Sequence, residues 1–113
     1  MNEINDPVDE ILEEGLDDWV MLVSIVRLAE ERRLGDQQGA RTLATALIHE
    51  LIVGEWMVPG EIGNSGFEPW KDPPADAAAR VVGNIDSVGW NFVDNVVVWF
   101  DNTDKGNQRA EEV

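Results

Sequence analysis

The strongest constraint in this chain is the join between residues 37–53 and 55–62, where a helical repeat gives way to a strand across a single glycine. Ala40, Leu43, Ala44, Leu47, Leu51 and Ile52 recur at the three-to-four-residue spacing of one helix face, and Gln38, Arg41, Thr42, Thr45 and His49 stand opposite. Gly54 ends the repeat. Trp56 and Val58 then open an alternating segment that Pro59 and Gly60 are expected to bend. A long amphipathic helix feeding a strand predicts an α+β class.

The rest of the chain is read around that join. Asp6-Pro7 predicts a helix start, because Asp can cap free amides and Pro suits the first helical position, and Gly15 is expected to end that short helix. Asp17 and Asp18 are expected to open a second helix, in which Leu16, Trp19, Val20, Leu22, Val23, Val26 and Ala29 share a face before Gly35 stops it. On that spacing Trp19 is expected in the core. The stretch GNSGFEPWKDPP reads as a loop, residues 74–85 as a helix shortened by Gly83, and residues 86–95 fit no class clearly. Residues 96–100 are expected to form a buried-type strand that includes Trp99, while residues 1–5 and 108–113 are expected to fray. A length of 113 residues suits a single domain spanning 1–113.

Two short motifs carry a resemblance. LIHELIVGEWMV places Leu47, Leu51 and Gly54 where the recognition helix of PadR- and MarR-type winged-helix proteins ends, and Thr103-x-x-Gly106 is similar to the Leu-Thr-x-x-Gly signature that closes their wing. Thr103 can cap a terminal turn there. The resemblance covers residues 37–109. It implies a modified winged-helix-like domain, with three N-terminal helices followed by a β-hairpin whose wing is extended and partly helical. The sequence departs from the families at Asn102, which stands for the usual leucine, and in a connection of about thirty residues between the strands. It also leaves no room for a long dimerisation helix.

Charge then bears on function. There are 23 acids against 8 bases, a net charge of −15. Glu3, Asp6, Asp9, Glu10, Glu13, Glu14, Asp17 and Asp18 precede the first base. Such a field repels phosphate backbones and anionic membranes and attracts cationic surfaces, although high charge also serves solubility alone. If residues 37–53 read DNA, Arg41, Thr42, Thr45 and His49 would do so, yet only Arg41 there carries a fixed positive charge. An ordinary solvated helix face is the plainer account.

Catalytic and metal chemistry find little footing. His49-Glu50 is half of a zinc-protease helix, but residue 53 is Val and no second histidine exists. Ser24, Ser65 and Ser87 lack a nucleophile motif. Asp101, Thr103, Gly106 and Glu112 occupy calcium-loop positions, but Lys105 falls where an oxygen ligand belongs. No cofactor is expected. With no cysteine, no signal-peptide pattern in MNEINDPVDE and no apolar run near the ~20 residues of a membrane span, the expectation is a cytoplasmic protein.

The resulting expectation is a non-enzymatic acidic module that binds a protein with a basic surface, in its concrete form an inhibitor or immunity-type protein for a basic enzyme such as a nuclease. Glu10, Glu13, Glu14, Asp17 and Asp18 would steer the partner, and Phe67 and Trp70 would either pack beneath the wing or anchor the partner if exposed. The alternative is a winged-helix DNA-binding regulator; nucleic acid is disfavoured by charge, and a homodimer fits either reading.

Overall fold

The computed structural model describes residues 4–112. Glu3 of the acidic run, and residues 1–3 and 113 of the ends expected to fray, lie outside the described residues. The class is α+β, with helices around one four-stranded antiparallel sheet. In chain order come α1 (Asn5–Asp17), β1 (Val20–Met21), α2 (Leu22–Arg32), α3 (Gln37–Val53), β2 (Met57–Gly63), β3 (Gly66–Pro69), α4 (Pro74–Val88), a 3-10 segment (Trp90–Asn95), β4 (Trp99–Asn102) and α5 (Asp104–Glu111). The strands lie in the order β1-β4-β2-β3. Thus β4, last in sequence, sits between the first two strands.

α3 forms where its apolar repeat predicts. Asp36 caps it by accepting the Gly39 amide at 2.9 Å. At the other end the Glu55 and Trp56 amides donate to the Ile52 and Leu51 carbonyls, both at 3.0 Å, while Glu55 adopts a left-handed φ of 61°. Gly54, one residue earlier, has ordinary helical φ; a Cβ there would overlap the Glu50 carbonyl oxygen. The glycine serves close packing. The conformational load falls on Glu55.

One face of the sheet and the inner faces of the helices enclose the core. Phe100 from β4 is its largest fully buried side chain, and the same cluster holds Ile11 and Leu12 of α1, Leu22 and Ile25 of α2, Leu47 and Leu51 of α3 and Ile85 of α4. Trp56 and Val96 pack on its edge.

Several local expectations change. Gly15 does not end α1: it lies inside the helix, where any side chain would overlap the Asn102 amide. Asn102 in turn donates to the Leu12 carbonyl at 2.9 Å, pinning α1 to the sheet. The second helix does not open at Asp17. Residues 20 and 21 instead pair with Phe100 and Trp99 as β1, because edge pairing satisfies backbone groups that a helix start would leave free. The Gly- and Pro-rich loop contains β3, and β2 runs straight through Pro59 and Gly60. Pro59 is tolerated inside the sheet because its carbonyl faces the end of β3, accepting the Trp70 amide at 2.9 Å, so its missing N–H breaks no bond to β4. Gly83 meets nothing within 4 Å and α4 continues past it.

The tail expected to fray from residue 108 is helical through Glu111, with Ala110 buried. Thr103 accounts for this. Its hydroxyl accepts the Gly106 amide at 3.0 Å and donates to the Glu55 carbonyl at 2.7 Å, while its own amide donates to the Trp56 carbonyl at 3.0 Å. Gly106 must lack a Cβ, which would overlap that same Trp56 carbonyl oxygen.

Candidate functional site

The polar side of α1 divides into neutralised and free carboxylates. Asp9 pairs with Arg109 at 2.6 Å and Glu10 with Arg32 at 2.7 Å, tying α1 to α5 and α2. Glu13, Glu14, Asp17 and Asp18 are exposed and make no ion pair among the described residues. The Asp18 carboxylate accepts only the neighbouring Trp19 amide, at 2.8 Å. Glu14, Asp17 and Asp18 crowd the carboxyl end of the helix, whose last turn contains no base. The macrodipole there is negative, so each acid opposes the helix by about 0.3–1 kcal/mol. A second unfavourable placement lies on the β2–β3 hairpin, where Glu61 and Glu68 stand directly opposite each other.

Most of the bases, by contrast, serve internal contacts. Arg27 pairs with Asp94 and Arg80 with Asp72, each at 3.2 Å, and Arg80 also covers the Trp70 ring at 3.7 Å. Lys105 donates to the Gly54 carbonyl at 2.7 Å, and Lys105 and Arg109 lie over the Trp56 ring at 4.1 and 4.6 Å. Trp56 completes that corner by donating its indole N–H to Glu50 at 2.9 Å. Arg41 and Lys71 form no ion pair among the described residues.

Of the α3 residues, Arg41, Thr42 and Thr45 share a groove with Val82 and Asp86 of α4 and with Trp90. His49 lies in a separate hollow beside Ile4, Glu50 and Val53. The polar face is therefore flanked by α4, and a carboxylate sits in the groove with its one fixed cation.

Phe67 and Trp70 part company. Trp70 is half-buried against the core under Arg80, its indole nitrogen buried without a partner among the described residues, and it lines a cleft of about 410 Å³ with Met57, Pro59 and Thr103. Phe67 stacks on Trp19, ring centroids 5.9 Å apart and 30° between planes. Trp19, expected in the core, is 37% exposed, because β1 rather than a helix carries it to the sheet edge. Trp99 is half-buried, and Phe100 beside it fills the core instead.

These aromatics share one surface. Directly paired residues of an antiparallel sheet point to the same side. Met21 pairs with Trp99, Trp99 with Gly60 and Ile62 with Phe67, and Val58 pairs with Asp101 on the same side. A Cβ on Gly60 would lie 2.8 Å from the Phe67 ring, so that ring covers the glycine. The outward face is thus apolar and aromatic. Ile62 there is 42% exposed, and Val97, just before β4 and two residues from Trp99, is 60% exposed. Asp101 is half-buried, makes no ion pair among the described residues, and is the one carboxylate among them that the strand register places there. Burial raises its carboxyl pKa from the ordinary aspartate value, against a smaller opposing effect from the Asn102 backbone N–H.

Sequence reading missed Trp19, Trp99, Ile62, Val97 and Asp101 as surface candidates. A signal was present in VVVWFDN: Val98, Phe100 and Asn102 alternate with Val97, Trp99 and Asp101, and a carboxylate in the second set marks the outward side. Nothing comparable marks Trp19. Compared with protein-family models, curated proteins and solved structures, the chain matches none.

Proposed function

We propose that this protein is a non-enzymatic binding module for a protein with a basic surface, carried on a modified winged-helix arrangement. The observation that carries the reading is the asymmetric use of charge. Among the described residues, acids stand without ion pairs at the carboxyl end of α1 and opposed on the hairpin, where local stability would favour bases, while most bases are consumed in internal contacts. Charge kept where it costs stability is the mark of a surface selected for something other than folding. An inhibitor or immunity-type protein acting on a basic enzyme such as a nuclease is the concrete form, since clustered carboxylates steer such an encounter and imitate phosphate.

The winged-helix element of the proposal draws on three features: α3 leads directly into β2, β1 lies between α1 and α2, and β4 returns between β1 and β2. The β3–α4 insertion replaces a simple wing. The DNA-reading alternative has less support, since α4 flanks α3 and Asp86 shares the groove of Arg41.

The test is recovery of partners on the immobilised protein, followed by titration of each purified partner against wild type and a variant carrying Glu13→Gln, Glu14→Gln, Asp17→Asn and Asp18→Asn. The expected result is a basic partner whose affinity falls with salt and falls again in the variant. Partners indifferent to both changes, or retardation of random-sequence DNA at low salt, would refute it.

A further inference from the structure

We infer that the outer face of the sheet, built by Trp19, Met21, Ile62, Phe67, Val97 and Trp99 around Asp101, is the docking site for a basic segment of a partner protein that bears large apolar side chains. This rests on the reading of the chain as an acidic binding module and says where on it the partner sits.

The face is unusual in what it leaves uncovered. The helices described above pack on the opposite side, where Phe100 is completely buried, whereas Ile62, Val97 and Trp19 stay between 37% and 60% exposed. Exposed aromatic and branched side chains gathered on one surface mark an interaction site rather than the scattered apolar residues of any protein exterior. Gly60 strengthens this, since Phe67 lies across it and stacks on Trp19, so two rings are held in place before any partner arrives. Rings already ordered lose little freedom on binding.

Charge selects the occupant. Asp101 is half-buried amid this surface and meets no base among the described residues, and Asp17 and Asp18 directly precede Trp19 at the edge. An Arg or Lys from outside would supply the missing partner, and the cation could also lie on Trp19 or Trp99. A second copy is the wrong occupant. Each chain has a net charge of −15, and a two-fold contact would set the same acids of both copies against each other.

The experiment uses the whole chain, isotope-labelled, and three synthetic peptides. In the first, Arg and Lys alternate with Leu and Trp; the second keeps the bases but has Ser for the apolar residues; the third keeps the apolar residues but has Ser for the bases. The first should shift the indole signals of Trp19 and Trp99 and the amides of Ile62, Phe67 and Asp101, and bind at least about tenfold more tightly than either control. Ile62→Ser with Val97→Ser, both at exposed positions, should weaken the first peptide about tenfold and leave the second unchanged, with the urea midpoint showing that the fold is kept.

If the basic peptides bind equally and shift only α1, the face is not the docking site, although the acidic-module reading survives. If neither basic peptide binds, both fall. Equal binding by the uncharged apolar peptide would overturn the charge argument and with it the proposal. So would a dimer in sedimentation that the double variant dissociates, since a second copy would then be the occupant.

Discussion

The corner around Trp56 and the outer face of the sheet use the same kinds of side chain to opposite ends. In the corner a tryptophan is covered by Lys105 and Arg109, its indole N–H is taken by Glu50, and Arg109 is neutralised by Asp9. On the outer face tryptophans are partly bare and Asp101 meets no cation among the described residues. The corner is saturated. The outer face has acceptors and aromatic surface but no donors of its own charge class, and this difference separates what holds the fold from what is open to another molecule.

Breaking the saturated corner should have the largest effect. Gly106→Val drives a side chain into the Trp56 carbonyl and must displace α5, at a cost of about 3 kcal/mol in urea unfolding. Gly83→Ala is the matching control, since nothing lies within 4 Å of a Cβ there and the position is inside α4, so stability should rise by about 0.5–1 kcal/mol. Equal losses at the two glycines would mean that the corner is not tightly packed.

The corner has one flaw, Glu55 in a left-handed conformation. Replacing it by glycine should raise stability by about 1 kcal/mol, because the penalty on a Cβ disappears and exceeds the extra freedom of the unfolded chain. A loss would show that the Glu55 side chain contributes more than its backbone costs.

On the outer face the sharper test is pH. The Asp101 carboxyl has its folded-state pKa raised by burial, so the folded chain holds that proton more firmly than the unfolded one. The penalty is fully present above the folded pKa and is relieved as pH falls through it towards the unfolded value. Asp101→Asn should therefore stabilise the protein at neutral pH, and the gap between variant and wild-type unfolding midpoints should shrink on acidification. A gap that widens instead would show the carboxylate to be internally compensated.

The smallest effect is expected on the hairpin. Glu68→Lys converts a like-charge cross-strand pair with Glu61 into an attractive one and should add about 0.5 kcal/mol, less at high salt. The same variant removes a negative charge and adds a positive one, so it should also slow association with a basic partner.

Much of the architecture is legible along the chain. α3 and the apolar face of α2 follow from the helical repeat, and the Thr103 cap from a hydroxyl placed three residues before a glycine. The glycines misled where they serve contact rather than chain direction. Gly15 reads as a helix stop until Asn102, far along the chain, is found against it, and β3 hides in a glycine-rich stretch because its pairing with β2 is not a property of its own residues. For the candidate site, the α1 acids were evident as a run, but their division into paired and unpaired members was not.

What the order of residues settles unaided is the total charge, the helical repeats and the alternation in the last strand, since each depends only on neighbours close in the chain. The exposure of Trp19, the isolation of Asp101 and the loss of Asp9 and Glu10 to internal ion pairs were decided by tertiary structure. They depend on which distant side chain arrives at each position: Phe67 reaches Trp19, Arg109 reaches Asp9 and Arg32 reaches Glu10, but no base among the described residues reaches Asp101.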